Sequence, residues 1–208
     1  LGDKTDPAPD VDVCCDNLES ARQAYVVGAT PINGIGFDMT FKVPNASGKS
    51  EGTWLTDGTG NFRPMNNPEQ NGEYVGNWFF EKWDIEGYIF KDGARPIYQV
   101  VTGLPNGNYS LKMAAFRANQ FGTEYVDGGI CAYLNTDKVE VTSDVMNYYT
   151  VNGVVTSKKM EIGLVSGVEN TANWVGLADV SLIYYGVSDV ELSENDTEMS
   201  VQDGLYCN

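Results

Sequence analysis

The chain has 208 residues, a formal net charge of −16, a sequence pI of about 4.1 and no histidine. Phosphate neutralisation needs clustered Lys and Arg, and the basic residues here are scattered, with Lys158-Lys159 as the tight pair; nucleic acid is excluded as a partner and anionic membrane surfaces are disfavoured. Without imidazole there is no Ser-His-Asp or Cys-His catalysis, and no apolar run approaches the roughly 18 residues of a spanning helix.

Taken in chain order, Leu1 to Asp12 sets Pro7 and Pro9 among Asp3, Asp6, Asp10 and Asp12. That composition predicts a flexible tether, of the kind that begins an exported protein whose leader has been trimmed. Residues 16–27 carry Asp16 and, three positions on, Glu19; this capping-box spacing predicts a short helix. Together, residues 1–35 are expected to form a tether and helix ahead of the main domain.

After Gly28 the chain changes character. Its 23 glycines and 12 tyrosines mark Gly-rich turns between Tyr- and Val-rich runs, which predict strands. Expected strands are 37–43, 75–81, 86–91, 129–134 and 138–142. The clearest hairpin signal spans 96–118. Pro96 to Thr102 is a β-rich run, and Gly103-Leu-Pro-Asn-Gly107 is a turn in which Pro105 presets φ. The return run alternates, with Tyr109, Leu111, Met113 and Ala115 on one face. A second strand pair is expected from Lys159 to Val165, with Met160, Ile162 and Leu164 on one face, and from Trp174 to Tyr185. Some eight strands at this spacing predict an all-β sandwich or jelly roll over residues 36–186. The stretch after Gly186 is acidic and reads as a linker over 187–208, with Leu205-Tyr-Cys-Asn208 resembling the start of a further module.

The cysteines, Cys14, Cys15, Cys131 and Cys207, match no zinc spacing. A long-range disulfide such as Cys15 to Cys131 and free buried thiols are both compatible with the sequence.

The stretch Ile97-Tyr-Gln-Val-Val-Thr-Gly-Leu-Pro-Asn-Gly-Asn-Tyr-Ser-Leu resembles the YQxVxGLPxGxY segment of galactose-binding-like jelly-roll modules. Asp38 to Ser47 resembles their opening strand, with Asn45-Ala-Ser-Gly in place of N-P-S-F-E. Trp54 and Asn77-Trp-Phe-Phe-Glu-Lys-Trp83 resemble the aromatic segment that follows. Asn173-Trp-Val-Gly-Leu-Ala-Asp-Val-Ser-Leu resembles the closing NWVxxDNxxL strand, with Asp179 standing for its Asp. The chain departs from the pattern in lacking the opening Glu and in having Val180 beside Asp179. The resemblance implies a carbohydrate-binding module of surface or secreted proteins of Bacteroides-type bacteria, including glycan-binding lipoproteins. It also implies that a structural calcium ion lies between the first and last strands, where Asp38 and Asp179 would be the ligands.

Sugar binding needs flat aromatic faces for the C–H side of a pyranose and a few polar groups for its hydroxyls. Trp54, Trp78, Trp83, Trp174, Tyr88 and Tyr125 are the candidate platforms. Strand alternation puts Trp78 and Phe80 on one face and Phe79 and Glu81 on the other. Trp54 and Trp174 are expected in the core and Trp83 at the surface. Arg117, Asn119 and Gln120 open a loop with Phe121, Tyr125 and Asp127, where polar planar groups collect at a sandwich tip. The expected ligand-binding set is therefore Trp83, Arg117, Asn119, Tyr125 and Tyr88. Among 29 acids, Glu81 and Asp84 beside Trp83 are the best pair for glycoside hydrolysis, but two ordinary surface acids are the simpler expectation. The reading is a non-catalytic glycan binder, exported to the cell surface or secreted, joined to further modules of the same polypeptide. The alternative is a structural or adhesive spacer.

Overall fold

The computed structural model describes residues 36–49, 52–83, 89–119 and 129–186. The expected tether, the 16–27 helix and the acidic stretch from 187 lie outside the described residues. Ten strands are described: β1 (Phe37–Asp38), β2 (Asn61–Asn66), β3 (Trp78–Trp83), β4 (Ile97–Thr102), β5 (Gly107–Ala118), β6 (Ile130–Leu134), β7 (Asp137–Glu140), β8 (Asn147–Val155), β9 (Lys159–Ser166) and β10 (Trp174–Gly186). They form two antiparallel sheets. The larger runs β2-β3-β10-β5-β8, with β1 also paired to β10; the smaller runs β4-β9-β6-β7. The fold is a β-sandwich jelly roll.

The core lies between the sheets because alternate positions on both are apolar. Leu111, Met113, Leu177 and Leu182 of the larger sheet meet Ile97, Ile130, Ile162 and Leu164 of the smaller one, all fully buried. Trp54 is buried with them, as expected; its indole donates to the Asn45 carbonyl at 3.2 Å and its ring lies 6.0 Å from that of Phe80.

The predicted hairpin over 96–118 is not one. β4 pairs with β9, whereas β5 pairs with β10 and β8. The turn between them carries the chain from one sheet to the other. Leu104 is buried at its apex, with its N–H on the Lys158 carbonyl at 3.0 Å, and the Tyr109 hydroxyl donates to the Pro105 carbonyl at 2.8 Å. The second expected pair crosses in the same way, since β9 and β10 belong to different sheets. Alternation identifies a strand by its buried face but does not name its partner.

Three other expectations shift. The 37–43 strand stops at Asp38, whose carboxylate accepts the Thr40 N–H at 2.8 Å and turns Thr40–Lys42 into a 3-10 helix. β3 starts late because Asn77 sits at φ 63°. Residues 89–91 form no strand; the Phe90 carbonyl instead accepts from Ser166 and Asn170. β2 and β8 went unpredicted. β2 contains Pro64, which edge strands tolerate, and β8 contains Asn152-Gly153, a pair that reads as a turn although the strand runs through it.

β10 shifts register against β5 twice, at Ala178/Ser181 and at Tyr184/Gly186, and the first shift orders the outer face of the larger sheet. Between Ala178 and Ser181 β10 advances three residues while β5 advances two. This bulge, with Asp179 at φ 46°, reverses the parity of the strand. Trp174, Gly176 and Ala178 before it, and Ser181, Ile183 and Tyr185 after it, therefore share the outer face.

Candidate functional site

The outer face of the larger sheet carries a second apolar layer, separate from the core: Phe79, Ala114, Phe116, Met146 and Ala178, flanked by Met65, Tyr74, Tyr148 and Trp174. Strand register sets its rows. Trp83, Trp174 and Ala118 lie side by side across β3, β10 and β5, and the next row is Glu81, Gly176 and Phe116. Gly176 is required here. A Cβ on it would come within 2.2 Å of the Phe116 ring and 2.9 Å of the Phe79 ring. The space lets Phe116 lean between its neighbours, 5.4 Å from Phe79 and 4.8 Å from Trp174, both edge-to-face.

Glu81 is the hub of this face. It is 1% exposed. One carboxylate oxygen accepts Arg63 Nε at 2.8 Å and Trp83 Nε1 at 3.2 Å; the other accepts Trp174 Nε1 at 3.0 Å. A buried carboxylate is costly unless its oxygens are satisfied, and here two indoles and a guanidinium satisfy them. The result fixes two half-buried indole rings on adjacent strands, each turned by its N–H toward one anchor. The Arg63 side chain stays 49% exposed beside them.

Farther along the same face, Tyr148 donates to Asp179 at 2.5 Å and Lys112 Nζ lies 4.0 Å from the Tyr148 ring centre. The hydrogen bond to Asp179, helped by burial, pushes the Tyr148 phenol up to about 12. The segment between β2 and β3 folds across this end. Tyr74 N–H donates to the Met146 carbonyl at 3.1 Å, Glu73 accepts the Tyr148 N–H at 3.1 Å, and Tyr74 packs edge-on to Tyr148 at 6.4 Å. It walls one side of the aromatic face.

The expected residues separate. Trp83 is on this face and half-buried. Arg117 is not: it lies on the core side of β5, 3% exposed, with Nε on the Val141 carbonyl at 2.5 Å and the Glu140 carboxylate 4.0 Å away. Asn119 ties the end of β5 to the Thr171 carbonyl at 3.1 Å. Tyr88, Tyr125 and Asp84 lie outside the described residues. Asp38 and Asp179 do not converge. Asp38 is in register with Ile183, four residues beyond Asp179 on β10 and so ~13 Å along the strand, and each holds a different protein group. They do not fit one calcium site, and the described residues contain no group of three or more His, Cys, Asp or Glu placed to hold a metal. Cys131 is a free thiol whose pKa is raised by burial.

Two expectations are corrected. Glu81 is no surface acid, and Trp174 packs outside the core. The sequence carried a signal for Trp174: Val175 and Leu177 alternate with the small Gly176 and Ala178, so Trp174 has the parity of the outer face. Arg63 had no local signal, because its strand was not recognised.

No family model matches the chain, and no curated protein matches it. Among solved structures it is similar to the CBM22-1 xylan-binding domain of Paenibacillus barcinonensis Xyn10C, at 9% identity over 76% of this chain and 100% of that one, with a TM-score of 0.50. TmCBM61, solved with β-1,4-galactotriose, covers 69% of this chain and 97% of its own at 16% identity and a TM-score of 0.45. A cyclase from Fischerella sp. TAU gives 15% identity over 76% and 98%, also at 0.45. At such identities the likeness concerns the fold alone.

Proposed function

We propose that this chain is a carbohydrate-binding module that holds a neutral glycan on the outer face of its larger sheet. The observation that carries the reading is the Trp83–Glu81–Trp174 arrangement, in which one buried carboxylate fixes two half-buried indoles side by side. Rigid indole faces suit the C–H side of pyranoses, and the half-exposed Arg63 guanidinium offers donors to hydroxyls at their edge. The charge of −16 favours a neutral ligand over an anionic one. Binding is favoured over hydrolysis because both Glu81 oxygens already accept N–H donors, which suits an anchor better than a general acid or nucleophile.

A module that grips polysaccharide works where polysaccharide is, so the proposal includes an exported chain, at the cell surface or secreted, working beside further modules. A glycan array covering plant, mucin and microbial neutral glycans, run with and without calcium, tests it. The expected result is a saturable hit that survives chelation. A blank from folded protein would overturn the binding reading in favour of a spacer.

A further inference from the structure

The bulge that brings Tyr185 onto the same face as Trp174 places a second chemistry at the opposite end of β10. There the surface forms an open depression of about 500 Å³ lined by Asn108, Tyr109, Asp137, Asn152, Gly153, Val154 and Tyr185. Tyr185 is 40% exposed and Val154 41%. Asn152 and Asp137 are also exposed. Asn108 is held by a bond to the Gly186 carbonyl at 3.4 Å, the long end of hydrogen bonding. Gly153 makes room for Asp137, whose carboxylate would lie 2.6 Å from a Cβ at that position.

We propose that this depression is a second, independent site for a neutral oligosaccharide, a proposal that rests on the same reading of the chain as a glycan binder. An exposed phenol ring and a valine supply an apolar surface. Two primary amides and a carboxylate supply donors and acceptors in the combination that pairs with vicinal hydroxyls. No basic side chain lines it, so phosphate, sulfate and uronate groups find no cationic partner and meet Asp137 instead. Tyr185 lies eleven positions beyond Trp174 on β10, and with two bulges in that run the span is ~30 Å. A trisaccharide is too short to touch both ends, so the sites fill separately, and a long polysaccharide gains avidity by reaching both.

The test is amide and indole NMR of the whole chain, titrated separately with β-1,4-galactotriose and xylohexaose. The expected result is that at least one probe shifts the side-chain amide signals of Asn108 and Asn152, with its own saturation curve. Tyr185→Ala, at an exposed position, should weaken that response about tenfold or more and leave the Trp83 and Trp174 indole signals unchanged; Asn152→Ala should do the same. Shifts at the indoles alone would overturn the second site and leave the tryptophan site standing. Shifts at the amides alone would support the second site and remove the first. If both sets stay still with both probes at millimolar concentration, this inference fails.

Discussion

Replacing Glu81 probes the candidate site and its energetics together. In Glu81→Ala, Arg63, Trp83 and Trp174 lose their shared acceptor. Arg63 is half exposed and finds water, so its ion pair contributes little. Each indole N–H gives up a bond to a charged group, worth roughly 1.5 kcal/mol or more. The expected loss is therefore ~3 kcal/mol, which in a domain of this size lowers Tm by about 6–12 °C. Glu81→Gln is the finer probe. Its amide N–H₂ must face either Trp174 or the Arg63–Trp83 side. The first leaves one opposed donor and the second leaves two, so the glutamine turns toward Trp174 and costs about 1–2 kcal/mol. Urea unfolding followed by Trp fluorescence gives the energies, and the indole N–H signals identify which ring is released. A Glu81→Ala loss below about 1 kcal/mol, or a Glu81→Gln variant whose Trp174 signal stays in place, would refute the anchoring argument.

Further expectations follow from the same geometry. Gly176→Ala drives a Cβ into the Phe116 ring; an overpacking cost of about 1–3 kcal/mol in chemical denaturation, with perturbed Trp174 emission, is expected. Arg117→Met removes a buried guanidinium from the Val141 carbonyl and should lower stability by about 1.5–3 kcal/mol, while the protein that remains folded binds glycan as before; a selective loss of binding would return Arg117 to the site. Tyr148 has its pKa raised from 10.0 to about 12 in the folded state. A group whose folded pKa is raised stabilises fully below the unfolded value, so this contribution is present below pH 10 and is lost as pH rises toward 12. Asp179→Asn should bring the Tyr148 titration back toward 10, as read by tyrosinate absorbance against wild type. Cys131, half-buried with a raised pKa, should react slowly with a thiol reagent in the native state and rapidly in urea.

The sequence made the strands legible wherever one face is buried. Tyr109 to Ala115, Met160 to Leu164 and Val175 to Leu177 alternate, and all fall in strands. Pairing was not legible, because a five-residue turn with Gly at both ends fits a hairpin or a crossing between sheets equally well. What decides is the burial of Leu104 and the bond of its N–H to Lys158, and both contacts come from distant chain. The same holds for the site. Trp83 stood out as an aromatic at a strand end. Arg63 joined it only through the register of β2 on β3, and Tyr185 joined that face only through a bulge that no local pattern announces. Arg117 misled because an Arg at the end of a strand looks like a loop-tip donor, whereas the parity set by Met113 and Ala115 already turned it inward.

The most direct measurement of the central claim is titration calorimetry of the array-selected glycan against wild type, Trp83→Ala and Trp174→Ala, with the fold of each variant confirmed by circular dichroism. Either substitution is expected to weaken binding to the sheet face at least about tenfold, whereas Arg117→Met is not. Wild-type affinity in both folded tryptophan variants would contradict that claim.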